Sequence, residues 1–96
     1  MDELDIAGVY ERGQFDKDAQ GWCGEVLRIT QEGERVTIVR ELHDAGPGRE
    51  VVYVGRVTEV HPAHEVAQIT LDDATVVYFS RRARHLGPVR PAALDD

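Results

Sequence analysis

The chain has 96 residues, a net charge of −7 and one cysteine. That length supports one small domain, whose ordered core contributes only about 3–5 kcal/mol net. The lone Cys23 excludes an intrachain disulfide and points to a reduced compartment. No apolar stretch approaches the ~18 residues of a membrane-spanning helix. The acidic start Met1-Asp2-Glu3-Leu4-Asp5 is unlike a basic signal leader. A cytoplasmic location without membrane contact is the expectation.

Charge is unevenly spread. Residues 1–20 carry net −4, residues 21–80 net −5, and residues 81–96 net +2. The balance argues against broad binding to a phosphate backbone, which needs clustered positive charge. The exception is Arg81, Arg82, Arg84, His85 and Arg90.

In chain order, residues 1–20 read as a poorly defined acidic segment. Leu4, Ile6, Val9, Tyr10 and Phe15 fit neither helical nor strand spacing, although a short strand around Ile6–Tyr10 is conceivable. Asp16–Gly21 reads as a loop, and Trp22 as a core or rim anchor at the entrance to the next strand. Five apolar runs follow: Glu25–Thr30, Arg35–Leu42, Glu50–Val60, Glu65–Leu71 and Ala74–Ser80. Leu27 and Ile29 share a face, as do Val36 and Ile38, and Gln31–Glu34 with Gly33 makes the hairpin between them. His43–Arg49, with Pro47 between two glycines, is a connection. Val51–Val54 is apolar on both sides, so it is central or covered by a partner. Gly55 marks a bend or bulge that would let one strand serve two sheets. His61-Pro62-Ala63-His64 turns the chain. The fourth run buries Ala67, Ile69 and Leu71, Asp72-Asp73 forms a tight hairpin, and Thr75–Phe79 is again apolar on both faces. Ser80 would cap a short helical turn near 81–86. Residues 88–96, with Pro88 and Pro91, form a flexible tail after a domain spanning 21–87.

The stretch Arg49–Ala83 resembles the Sm-like small-barrel group. The similarity lies in Gly55-Arg56-Val57-Thr58-Glu59-Val60, a four-residue turn and Val66, and in an apolar strand running into Arg81-Arg82. A bent strand with a central Gly also fits SH3-like and Tudor-like barrels. The resemblance implies a small curved antiparallel barrel. It does not carry uridine-rich RNA binding across, because His61 and Glu65 stand where the family has its Asp and Asn, and Ala83 where it has a Gly.

The expected fold is therefore all-β: a five- to six-stranded antiparallel barrel or strongly bent sheet of SH3-like or Sm-like kind. The expected function is a non-catalytic protein-interaction module (adaptor, assembly subunit or regulator), one version being an acidic inhibitor of a basic partner. It would act through a protein partner or self-association and need no cofactor. The second reading is an RNA- or DNA-binding barrel using Arg81, Arg82, Arg84 and His85, with Tyr53, Tyr78 and Phe79 as stacking surfaces. The third is a metal-dependent or other enzyme. His61 and His64, with Glu65, give the nearest metal spacing, which His43 or Cys23 would have to complete. Cys23 lacks a readable base and reads as an inert thiol.

Overall fold

Period-2 alternation turns these runs into the two faces of a single sheet. The computed structural model describes residues 4–46 and 48–95. Among them, seven strands pair antiparallel in sequence order: β1 (Gly8–Asp16), β2 (Gly21–Glu32), β3 (Arg35–Asp44), β4 (Arg49–His61), β5 (Val66–Leu71), β6 (Val76–Ser80) and β7 (His85–Gly87). Short 3-10 turns cover Pro62–His64 and Ala92–Asp95. The sheet curls into a half-barrel. Tyr10 on β1 meets Phe79 on β6 edge-on, with ring centroids 4.9 Å apart, although four strands lie between them in the sheet.

The strand count is seven, not five to six, and both additions lie where alternation is weak. β1 carries Glu11, Arg12, Gly13 and Gln14 in its middle and has no apolar rhythm of its own. Its strand state comes from a full register with β2, from Gly8 opposite Ile29 to Asp16 opposite Gly21. Gly13 and Gly24 face each other in that register. A Cβ on Gly13 would stand 2.3 Å from the Cys23 carbonyl oxygen, and one on Gly24 2.3 Å from that of Arg12. Two glycines are required there for the backbones to approach so closely.

The helical turn expected near 81–86 is also corrected. Ser80 Oγ accepts the Ala83 N–H at 3.1 Å, as a cap would. Arg84, however, has φ +54°, a left-handed conformation that a right-handed helix cannot contain. The chain turns instead, and β7 pairs Leu86 with Phe79.

The concave face holds the core. Leu27 and Ile29 on β2, Val36 and Ile38 on β3, Ala67 and Ile69 on β5, Val77 and Phe79 on β6, and Leu86 on β7 are buried together. Leu4 and Ile6 add to this core from outside the sheet. Ile6 N–H donates to Gln31 Oε1 at 3.0 Å, and Tyr10 OH donates to the Ile6 carbonyl at 2.9 Å. The N-terminal segment therefore fills the half-barrel's open side. Val77 and Phe79 point inward while Val76 and Tyr78 point outward, so the fifth run is ordinary alternation.

β4 is the seam. Its residues Arg49–Arg56 pair with β3, and Gly55–His61 pair with β5. The hand-over falls at Gly55, as the glycine suggests, but within one continuous sheet. A Cβ on Gly55 would lie 2.5 Å from the Thr70 carbonyl oxygen. The bulge itself comes later, where the register shifts between Val57 and Glu59. The extra residue, Thr58, inverts the facing that follows, so Val60 joins the core and Glu59 turns to solvent.

Candidate interaction surfaces

The C-terminal arginines close the half-barrel's gap. Arg81 donates Nε and Nη2 to Glu65 Oε1 at 3.0 and 2.7 Å, and Nη1 to the Asp5 carbonyl at 2.9 Å. Arg82 Nε donates to Glu65 Oε2 at 3.0 Å, and Arg84 Nη1 reaches the Glu11 carbonyl at 3.4 Å. Arg90 lies 3.6 Å from Glu59. Arg81 and Arg84 thus tie the β6–β7 turn to the N-terminal segment and to β1. His85 is exposed on β7.

Glu65 is the hub of this cluster. It has φ +55° at the end of the Pro62–His64 turn, and its carbonyl accepts the Arg81 N–H at 2.9 Å. Hydrogen bonds from Arg81, then from Arg82, hold its carboxyl below the ordinary 4.5. A carboxyl lowered in the folded state favours folding above its unfolded pKa, and that contribution is lost as pH falls through the folded value. Thermal melts from pH 6 down to about pH 3 are therefore expected to fall more gently for Glu65→Gln than for the parent below 4.5. Parallel decline would show that the cluster does not depend on this carboxylate.

The aromatic candidates separate. Phe79 is fully buried and offers no face to an external base. Tyr53 is half-buried and packs on the edge of the core. Tyr78 is half-buried on the convex face, where β5 presents Gln68 opposite it.

The histidines occupy separate elements. His61 ends β4 and His64 ends the 3-10 turn, whereas His43 and Cys23 lie in β3 and β2. His61 Nε2 lies 3.3 Å from Glu59 Oε1 without hydrogen-bond geometry. His43 stands edge-on to Trp22, centroids 5.3 Å apart, and Trp22 is half-buried. Among the described residues no group of three or more His, Cys, Asp or Glu side chains gathers to hold a metal ion. Desolvation, then the Asp44 and Asp16 carboxylates, push the Cys23 thiol up, away from thiolate reactivity.

Sequence reasoning missed a buried ionic group. Glu25 shares the concave face with Leu27 and Ile29, and only 7% of its side chain is exposed. Its Oε2 accepts Arg40 Nε at 2.9 Å and lies 2.7 Å from Arg40 Nη2; its Oε1, 3.8 Å from Arg12 Nη2, accepts no hydrogen bond. Burial opposes the charge of Arg40, but hydrogen bonds to Glu25 and Tyr53 outweigh it and hold the guanidinium more firmly protonated than usual. The signal was present: Glu25 stands two residues before Leu27, on the buried phase of the strand.

The second missed feature is an open strand edge. β5 starts pairing with β4 only at Gly55, so Arg49–Val54 has β3 on one side and, among the described residues, no strand on the other. Asp72 N–H donates to the Val54 carbonyl at 3.0 Å, which closes the edge at that point. Peptide groups alternate sides along a strand. Those of Glu50 and Val52 therefore face the same way as that of Val54, outward. Val52 is 54% exposed on the convex face and Val51 38% exposed on the concave one. The surplus apolar surface expected at Val51–Val54 is there. By contrast, the outer edge of β1 is interrupted where Arg84 reaches the Glu11 carbonyl, and β7 is three residues long.

Among the described residues no helix is long and apolar enough to cross a membrane. No protein-family model, curated protein or solved structure matches the chain.

Proposed function

We propose that this chain is a non-catalytic protein-interaction module that docks through the open edge of β4. One observation supports it above others: among the described residues, the outward main-chain groups of Glu50 and Val52 pair with no strand, and they lie between valines exposed on both faces. Such an edge binds an extended segment by strand addition, with backbone bonds supplying affinity and alternate side chains supplying selectivity. The curled antiparallel architecture suits an SH3-like or Sm-like binding scaffold, serving as adaptor, assembly subunit or regulator. Nucleic-acid binding has less support, because Arg81 and Arg82 engage the Glu65 carboxylate and Phe79 is buried.

A displayed library of random extended peptides, selected on the intact protein, tests this reading. Enrichment of alternating apolar sequences that shift the Glu50 and Val52 amide resonances is the expected result. No enrichment, or binding that leaves those amides unmoved, overturns it.

A further inference from the structure

We infer that the occupant of the β4 edge is an antiparallel protein segment with an adjacent base–acid pair. Its basic side chain faces Glu50, its acidic one faces Arg49, and the residues before them, facing Tyr53, Val52 and Val51, are apolar. This rests on the docking reading above and names the chemistry of the partner.

At this end of the sheet the two faces carry opposite charge. On the convex face one row crosses β1 to β4 through Glu11, Val26, Glu41 and Glu50. Glu41 and Glu50 stand directly opposite each other, a like-charge pair that is unfavourable. Arg28 compensates Glu41 at 3.3 Å, and His43 lies 3.6 Å from it. Glu50 is exposed at the outer end of the row, and among the described residues it pairs with no cation. The concave face is the reverse. There Arg12 stands opposite Glu25, Glu25 opposite Leu42, and Leu42 opposite Arg49, with Arg40 two residues before Leu42. These guanidiniums share the Glu25 carboxylate, and Arg40 holds it at 2.7 Å. Asp44, further out on the same face of β3, takes the Cys23 thiol at 3.8 Å. Arg49 is exposed, and among the described residues it pairs with no carboxylate.

A strand added beside β4 extends both rows by one position. Side chains alternate faces along it, so successive residues meet opposite potentials. The residue facing Glu50 lies on the carboxylate side, and the next one, facing Arg49, lies on the guanidinium side. Val52 and Val51, exposed on the convex and concave faces, take apolar side chains. Val54 sets the limit of the site, because its carbonyl already accepts the Asp72 N–H at 3.0 Å. Antiparallel pairing continues the direction of every other pair in the sheet and uses the outward groups of Glu50 and Val52. Charges on an open edge also deter indiscriminate pairing, so Arg49 and Glu50 oppose segments that lack the complementary pair. A pairing this short belongs to the small, transient class of interface.

Two capped synthetic peptides test the inference, titrated into the intact protein to about 1 mM while the Val52 amide resonance is followed. One reads Val-Ile-Val-Arg-Glu and the other Val-Ile-Val-Glu-Arg, so composition and net charge are equal and only the order of the charges differs. The first is expected to bind roughly 5–30-fold more tightly, because two opposite-charge cross-strand pairs become two like-charge pairs in the second. Arg49→Glu combined with Glu50→Arg is expected to invert that preference, a result that damage to the fold cannot produce. Equal affinities, or a preference that the charge exchange leaves unchanged, overturn the inference and leave the docking reading standing. So does a Val-Ile-Val-Arg-Glu peptide that leaves the Val52 amide unmoved while library peptides move it. If neither the two peptides nor any library peptide moves that amide, the docking reading falls with the inference.

Discussion

Phe79→Ala is expected to lower the thermal midpoint by roughly 15–30 °C, the largest effect of any single truncation in this chain. The ring is fully buried on the concave face, with Ala67 and Leu86 on the neighbouring strands. It also touches Tyr10 across the barrel's interior, so it joins β6 to a strand at the far end of the sheet. Truncation removes its transfer free energy and leaves a cavity, about 3–5 kcal/mol together. A core this small contributes only about 3–5 kcal/mol net, so the variant sits at the edge of unfolding. Val89→Ala is the matched control: Val89 is 78% exposed and its loss should cost under about 0.5 kcal/mol. Calorimetric melts of the two variants decide the matter. A shift for Phe79→Ala no larger than for Val89→Ala would mean that the curled sheet does not close over that ring.

Glu25→Ala is expected to cost about 3 kcal/mol, read from urea midpoints at constant slope. The carboxylate is the ionic partner of Arg40, whose side chain is 24% exposed; with Glu25 removed, the guanidinium loses the carboxylate held at 2.9 and 2.7 Å. Breaking one side of a buried pair typically costs about 3–5 kcal/mol, and the residual exposure of Arg40 sets the lower end. Replacing both partners, Glu25→Leu with Arg40→Leu, is expected to be neutral or stabilising by about 1–4 kcal/mol, because two desolvated charges leave together. The double variant should therefore be far more stable than the sum of the single changes predicts. Additive losses would show that the two side chains do not share a buried site.

These two residues differ in how far the sequence exposes their role. Phe79 lies on a strand that the sequence locates, but its neighbours Val76–Tyr78 make the run look apolar on both faces, and only the sheet shows which phase is inside. Glu25 lies in the buried phase of its own strand, yet the residue that balances it is fifteen positions away on β3. The arginine cluster is a sharper case. Composition marks Arg81, Arg82 and Arg84 as a patch for binding something, and their partners prove to be Glu65 and the carbonyls of Asp5 and Glu11. Contacts spanning from 16 to 76 residues leave no trace in local periodicity.

The sequence by itself determined the all-β class, the phase of Leu27, Ile29, Val36, Ile38, Ala67 and Ile69, and the turn at Gly33, whose φ is +62°. Each of these follows from side-chain alternation or from backbone freedom within a few residues. Tertiary structure alone decided that Gly8–Asp16 is a strand, that Arg84 ends the expected helical turn, and that β4 exchanges β3 for β5 at Gly55. That exchange leaves the Arg49–Tyr53 edge open. The reason is that strand pairing satisfies backbone groups between distant segments, and which segment lies alongside which is set by the closing of one shared core rather than by any residue's neighbours in the chain.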